Sequence, residues 1–189
     1  VKDIFIPGKH NLENAMAAAG AALALGIDKE TIAHVLREFK GVEHRLEFCG
    51  EFNGVKFYND SKGTNTDASV KAVLGIEKPI ILIAGGYDKK ASYDDFIKAF
   101  DDKVKALVLL GQTADEIDIC ARKYGFMDIY HVSNMEEAVK KCFDLSSEGD
   151  NVLLSPACAS WDMYPNYEVR GRDFKERVNY YGGISKKSR

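Results

Sequence analysis

The sequence has 189 residues, 46% of them hydrophobic, which supports one domain of about 150 residues with an ordinary core plus a smaller piece. Its 26 Lys and Arg nearly balance 29 Asp and Glu, so the net charge of −3 gives no general attraction to nucleic acid or anionic membrane. No apolar run approaches the roughly 20 residues that a membrane helix needs.

The chain starts at Val1 without a methionine, and Phe5-Ile6-Pro7-Gly8-Lys9-His10-Asn11 reads like the interior of a longer protein. Residues 11–25 are alanine-rich and predict a helix, with Asn11 as N-cap and Gly26 as stop. A second helix is capped by Asp28 and carries Ile32, Val35, Leu36 and Phe39 on one face, ending at Gly41. Two helices with apolar faces need a packing partner, either the rest of the chain or a neighbouring domain.

The pattern changes near residue 42. Two alternating segments flank Asn53-Gly54, a strong hairpin signal. Beyond them, strands are expected at 79–84, 104–110, 128–132 and 151–154. Helices are expected at 66–75, 92–102, 113–124, 134–146 and 170–181, with Ser92 and Ser133 as caps and Glu136 closing a capping box. Thr66 or Asp67 would cap the first of these. Alternating strands and helices imply an α/β fold with a Rossmann-like, mostly parallel sheet flanked by helices. Ligands in such sheets bind beyond the carboxyl ends of the strands. The polar and glycine-rich phrases fall there, at 60–65, 85–90, 111–113 and 155–160.

Each phrase has two readings. Asp60-Ser61-Lys62-Gly63-Thr64-Asn65 is either a capped strand-to-helix junction or an anion site at a helix N-terminus. Gly85-Gly86-Tyr87-Asp88-Lys89-Lys90 is either a glycine turn with solvated lysines or a close approach to a ligand that lysine holds as a point charge. Ser155-Pro156-Ala157-Cys158-Ala159-Ser160 either packs tightly or leaves room for a carboxylate. No histidine is placed to activate Cys158 or Ser160 as a nucleophile. Arg45 either reads a phosphate or sugar, or makes an inter-domain ion pair. Trp161, Tyr164 and Tyr167 before Arg170 read as an aromatic cover over the core. Cys49, Cys120, Cys142 and Cys158 form no C-x-x-C pair, so they read as reduced thiols of a cytoplasmic protein, with no zinc or redox motif.

In order along the chain, Gly8-Lys9-His10-Asn11-Leu12-Glu13-Asn14, His44-Arg45, Asn59 to Asn65, Gly85 to Lys89 and Ser155 to Ser160 together resemble the Mur ligase family over nearly the whole length. The Asp-Ser-Lys-Gly-Thr-Asn form at 60–65 is most similar to the branch that adds D-glutamate.

The resemblance implies an ATP-dependent amide ligase of peptidoglycan precursor synthesis. It would phosphorylate the carboxylate of UDP-N-acetylmuramoyl-L-alanine and pass the acyl group to D-glutamate. ATP and Mg²⁺ would serve the reaction, with the metal ligands mostly outside this chain. Residues 1–41 would be the last helices of a central ATPase domain, and 42–189 the C-terminal Rossmann-like domain. Asn11, Asn14, Arg45 and Asp60 would hold ATP, with Asp60 at the ribose. Lys62, Thr64, Lys89, Ser160 and Tyr167 would surround D-glutamate, Lys62 and Lys89 being the catalytic pair.

No G-x-x-x-x-G-K-[ST] phosphate loop occurs in this sequence. The isolated chain is therefore expected to be inactive, with the remaining domains of the same enzyme as its partners. Two alternatives stay open: another Mur-type or folylpolyglutamate ligase, and a nucleotide-binding Rossmann module without ligase chemistry.

Overall fold

A computed structural model describes residues 4, 6, 8–87 and 89–187. Phe5, Pro7 and Asp88 of the phrases above lie outside the described residues, as do the side chains of Lys9 and His10.

The chain opens with α1 (Lys9–Ala24) and α2 (Lys29–Glu38). Helix α1 starts earlier than expected, with Gly8 at its N-cap (φ 97°) and Asn11 inside the first turn. It stops at Gly26 as anticipated, where the left-handed φ of 83° lets Ile27 N–H reach Ala22 O at 3.1 Å. Asp28 caps α2 through Thr31 N–H at 2.8 Å. The two helices pack on each other, yet α2 buries no residue, and Met16, Leu23, Leu25, Val35 and Phe39 stay exposed.

The body begins with a hairpin of β1 (Glu47–Phe52) and β2 (Val55–Asn59). Asn53 and Gly54 have φ of 53° and 75°, the positive pair of a type I′ turn. There follow α3 (Thr66–Gly75), β3 (Ile80–Ala84), α4 (Asp94–Lys98), β4 (Val104–Leu109), α5 (Ala114–Lys123), β5 (Ile129–His131), α6 (Met135–Leu145), β6 (Asn151–Leu154) and α7 (Tyr167–Lys187). The six strands form one sheet in the order β1-β2-β6-β3-β4-β5, parallel except for β1.

Alternation along each strand builds two cores. Ile80, Leu82, Ala84, Leu107 and Leu109 face α3, α4 and α5, where Val73, Phe96 and Ile117 meet them. Ile81, Ile83, Val108, Val152 and Leu154 face α6 and α7, where Met135, Val139, Phe174 and Val178 close the other side. Because β3 is covered on both faces, its sequence is a continuous apolar run rather than an alternating one. Strand β6 sends its helix to the face opposite α3 and α4, so the crevice beyond the strand tips opens beside it.

Several further helix ends differ from expectation: α7 runs on to Lys187, and Tyr93 rather than Ser92 stands at the N-cap of α4. Helix α4 is only five residues long, because beyond Lys98 the chain tightens into Phe100 N–H to Ile97 O (3.0 Å) and Asp101 takes φ 40°. Helix α6 is capped by Asn134 rather than Ser133. The box closes through Glu137, whose Oε2 accepts from Ser133 N–H at 2.8 Å. Helix α7 starts at Tyr167, three residues early, because Asn166 accepts from Val169 N–H at 2.9 Å.

Candidate functional site

The tip of β2 shapes the site. Asn59 is fully buried, and its Oδ1 accepts from Ser61 N–H at 3.0 Å, turning the chain out of the strand. That bond fixes the amide, so Nδ2 donates to His44 Nδ1 (2.9 Å) and Glu47 Oε2 (3.0 Å). Asp60 follows, only 5% exposed. Its Oδ1 accepts from Leu46 N–H at 3.3 Å and its Oδ2 from Ser155 Oγ–H at 2.8 Å. Gly63 closes over it. A Cβ there would lie 2.5 Å from Asp60 Oδ2, so no other residue fits without movement. Asn65, rather than Thr66 or Asp67, caps α3 through Ala68 N–H at 2.9 Å.

Burial pushes the Asp60 carboxyl up to about 6, against the bonds from Ser155 and Leu46 and the charges of Arg45 and Arg170. Asp60 therefore sits at the edge of ionisation near neutral pH. It lines a cleft of about 210 Å³ with Arg45, Leu46, Lys62, Gly63 and Asn65. Arg45 and Lys62 are exposed there, two cations beside a buried carboxyl and the start of a helix.

The other strand tips reach the same rim. Lys89 Nζ donates to Thr64 O at 3.2 Å, tying the loop after β3 to the loop after β2. Lys62 Nζ lies 5.7 Å from the centroid of the Tyr167 ring, and Tyr167 O accepts from Ser61 Oγ–H at 2.8 Å. Ser160 is buried, and its carbonyl accepts from Met163 and Tyr164 N–H at 3.1 and 2.7 Å, so it anchors a tight turn behind Lys89. The structure thus joins Arg45, Asp60 and Lys62 in one cleft, with Thr64, Lys89 and Tyr167 tied to its loops by these contacts, while Ser160 is buried and does not line it. Asn11 and Asn14 are not among the residues that line it. A larger cleft of about 540 Å³ beside the hairpin, between Val42, Phe48 and Tyr58, holds none of the expected site residues.

Arg170 is the residue that sequence reasoning passed over. It is 3% exposed, and burial lowers its pKa to about 10. Nε donates to Ser61 Oγ (3.0 Å), Nη1 to Ala159 O (3.2 Å), and Nη2 to Ser61 O (2.9 Å) and Cys158 O (3.1 Å). One guanidinium therefore locks two strand-tip loops to α7. Its position in the first turn of a helix was the only cue, and that position is usually solvated.

Cys158 is a packing residue. Tyr93 Oη and Thr113 Oγ1 each lie 3.2 Å from its sulfur, and burial raises the thiol further from ionisation. All four cysteines are free thiols. The aromatic cover is only partly as expected. Tyr164 packs on the core and donates to Asp173 at 2.6 Å, whereas Trp161 stays 63% exposed.

Among the described residues only one group of three or more candidate metal ligands comes together, and its geometry does not suit Mg²⁺. The one group of candidate ligands, Glu43, His44 and Glu47, already surrounds the Lys175 ammonium, at 2.6 Å from Glu43 Oε1 and 2.8 Å from Glu47 Oε1. Asn59 donates to His44 Nδ1, which leaves the ring proton on Nε2, facing Glu43 Oε1 at 3.6 Å. Burial keeps that imidazole neutral. Each Asp60 oxygen accepts one hydrogen bond and keeps a second lone pair.

Comparison with known proteins gives this geometry a lineage. The family described as Mur ligase, glutamate ligase domain matches residues 44–158. The chain is 59% identical over 180 residues to UDP-N-acetylmuramoylalanine–D-glutamate ligase of Thermoanaerobacter sp. (strain X514). It is 57% identical over 180 residues to the protein of the same name from Caldanaerobacter subterraneus subsp. tengcongensis. Each alignment covers 94% of this chain, which spans 40% of the length of these curated relatives. Among solved structures, UDP-N-acetylmuramate-alanine ligase MurC from Thermotoga maritima superposes with a TM-score of 0.69 at 21% identity, over 94% of this chain and 40% of that one. At that identity the likeness concerns the fold alone. With a family match running from His44 through the last strand tip, this chain belongs to the Mur ligase family.

Proposed function

We propose that this chain is the amino-acid-adding part of an ATP-dependent ligase that joins D-glutamate to UDP-N-acetylmuramoyl-L-alanine in the cytoplasm. Residues 42–189 are its C-terminal domain, and residues 1–41 the last helices of a central ATPase domain. The observation that carries this reading is the convergence of one buried carboxyl and three cations, Asp60 with Arg45, Lys62 and Lys89, on one rim of strand tips.

ATP phosphorylates the peptide carboxylate, releasing ADP. The D-glutamate amine then attacks the acyl phosphate, forming the amide and releasing phosphate. Asp60 accepts hydrogen bonds from the ribose hydroxyls, which favours its ionised form. Arg45 meets the phosphates of the nucleotide, with Asn11 and Asn14 supporting its base when the central domain closes. Lys62 and Lys89 neutralise the two carboxylates of D-glutamate, helped by Thr64, Ser160 and the backbone of Tyr167. The residues act by positioning and charge stabilisation rather than by nucleophilic attack. Mg²⁺ would be held mostly outside this chain, where it would neutralise charge on the transferred phosphate.

The test is a panel of amino acids offered to the full-length parent enzyme with ATP and UDP-N-acetylmuramoyl-L-alanine. Preference for any acceptor other than D-glutamate would overturn the reading. So would unaltered ligation kinetics in the Lys62→Ala variant. The chain alone is expected to form no product.

A further inference from the structure

Trp161 is the only tryptophan of the chain, and folding leaves it exposed. Its backbone is nevertheless held firmly. Ser160 O accepts from Met163 and Tyr164 N–H, and Asp162 Oδ2 accepts from Gln112 N–H at 2.9 Å. Gly111 makes room for that carboxylate, since a Cβ there would lie 2.5 Å from Asp162 Oδ2. A rigid turn thus displays a large ring that contributes little to the core.

The ring has two neighbours. Tyr87 packs against it at 5.6 Å between centroids, and Lys89 Nζ lies 5.4 Å from its centroid. The loop carrying Tyr87 and Lys89 is itself pinned to the Trp161 turn by Tyr87 N–H to Ala159 O at 2.9 Å. Gly86 permits this contact, because a Cβ there would lie 2.3 Å from Ala159 O. Lys89 is therefore held from two sides, by the indole face and by Thr64 O. Lys62 is held in a similar way over Tyr167.

We infer that Trp161 is a positioning residue for the acceptor amino acid: its indole face holds the Lys89 ammonium at the rim, ready to receive one carboxylate of a dicarboxylic acceptor. The physical basis is the attraction of a cation to an indole face, which fixes a long side chain without neutralising its charge. A carboxylate partner would hold the lysine equally well but would compete with the substrate. The inference rests on the acceptor reading above.

The experiment is steady-state kinetics in the full-length parent enzyme. Trp161→Leu is expected to raise KM for D-glutamate about three- to fivefold, with kcat and the KM values for ATP and the UDP-linked substrate nearly unchanged. Trp161→Phe, which keeps a ring, is expected to restore most of the loss. In a Lys89→Met background the Leu substitution is expected to add nothing further, since the ring acts through that lysine. An unchanged KM in Trp161→Leu would overturn the inference, as would an equal fall of kcat in both single variants or additivity with Lys89→Met. A wild-type enzyme that does not use D-glutamate would instead overturn the proposed function, and the inference with it.

Discussion

The α1–α2 pair and the α/β body carry similar apolar patterning but use it in opposite ways. In the body, each apolar stripe meets a partner, as Phe174 and Val178 of α7 meet Ile81 and Val152 of the sheet. In α1 and α2 several of the corresponding side chains, Met16, Leu23, Val35 and Phe39 among them, face solvent, and Ile32 and Leu36 are only half-buried. The difference teaches that periodicity specifies a surface to be covered, while topology decides whether the same chain supplies the cover.

Substitutions sharpen that contrast. Phe174→Ala in the body is expected to cost about 3–5 kcal/mol in urea unfolding, because the fully buried ring leaves a cavity. Arg170→Met is expected to cost about 3 kcal/mol by the same measurement, since the buried carbonyls of Ser61 and Cys158 lose their donor and that of Ala159 keeps only Tyr87 N–H. If the body unfolded no more easily without Arg170, the idea of a guanidinium lock would fail.

Asp60→Asn acts in the other direction. The folded pKa of Asp60 is raised to about 6, above the ordinary carboxylate value, so the folded chain binds the proton more tightly than the unfolded one. Its charge therefore costs stability above pH 6, and that cost vanishes as pH falls towards 4. The amide variant keeps the bond from Leu46 N–H and can donate to Ser155. It is expected to be more stable than wild type by about 1–2 kcal/mol at pH 8, and by little at pH 4. Comparing the two at each pH isolates this group from His44, whose lowered pKa has the opposite sign. A constant difference across that range would break the argument. Leu25→Ala, at a site 82% exposed, is expected to change stability by less than about 0.5 kcal/mol. A larger loss would show that α1 packs where the structure leaves it open.

Much of this fold was legible because its signals are local. Asn53-Gly54 sets a turn by its own dihedral preferences, and the short apolar run at 79–84 suits a strand covered on both faces. The end of α4 was not legible, because nothing between Ser92 and Asp102 forbids a longer helix. It stops where β4 must begin. The site was legible as phrases at strand tips, since parallel topology brings those tips together. Arg170 was not, because its role depends on carbonyls at Ser61, Cys158 and Ala159 that only the fold brings near. Trp161 was misjudged for a similar reason. An aromatic residue near a core usually covers it, but the turn fixed by Asp162 points this one elsewhere.

The two margins of the sheet are built unlike its centre. Strand β1 changes register between Phe48 and Gly50, with Glu47 and Glu51 along it, while β5 has only three residues. Neither border offers a long, flat row of free amides and carbonyls on which another chain could crystallise as an added strand. Any self-association of this polypeptide at high concentration would therefore start at its bare helices rather than by strand addition, and polar replacements at Leu25 and Val35 would relieve it.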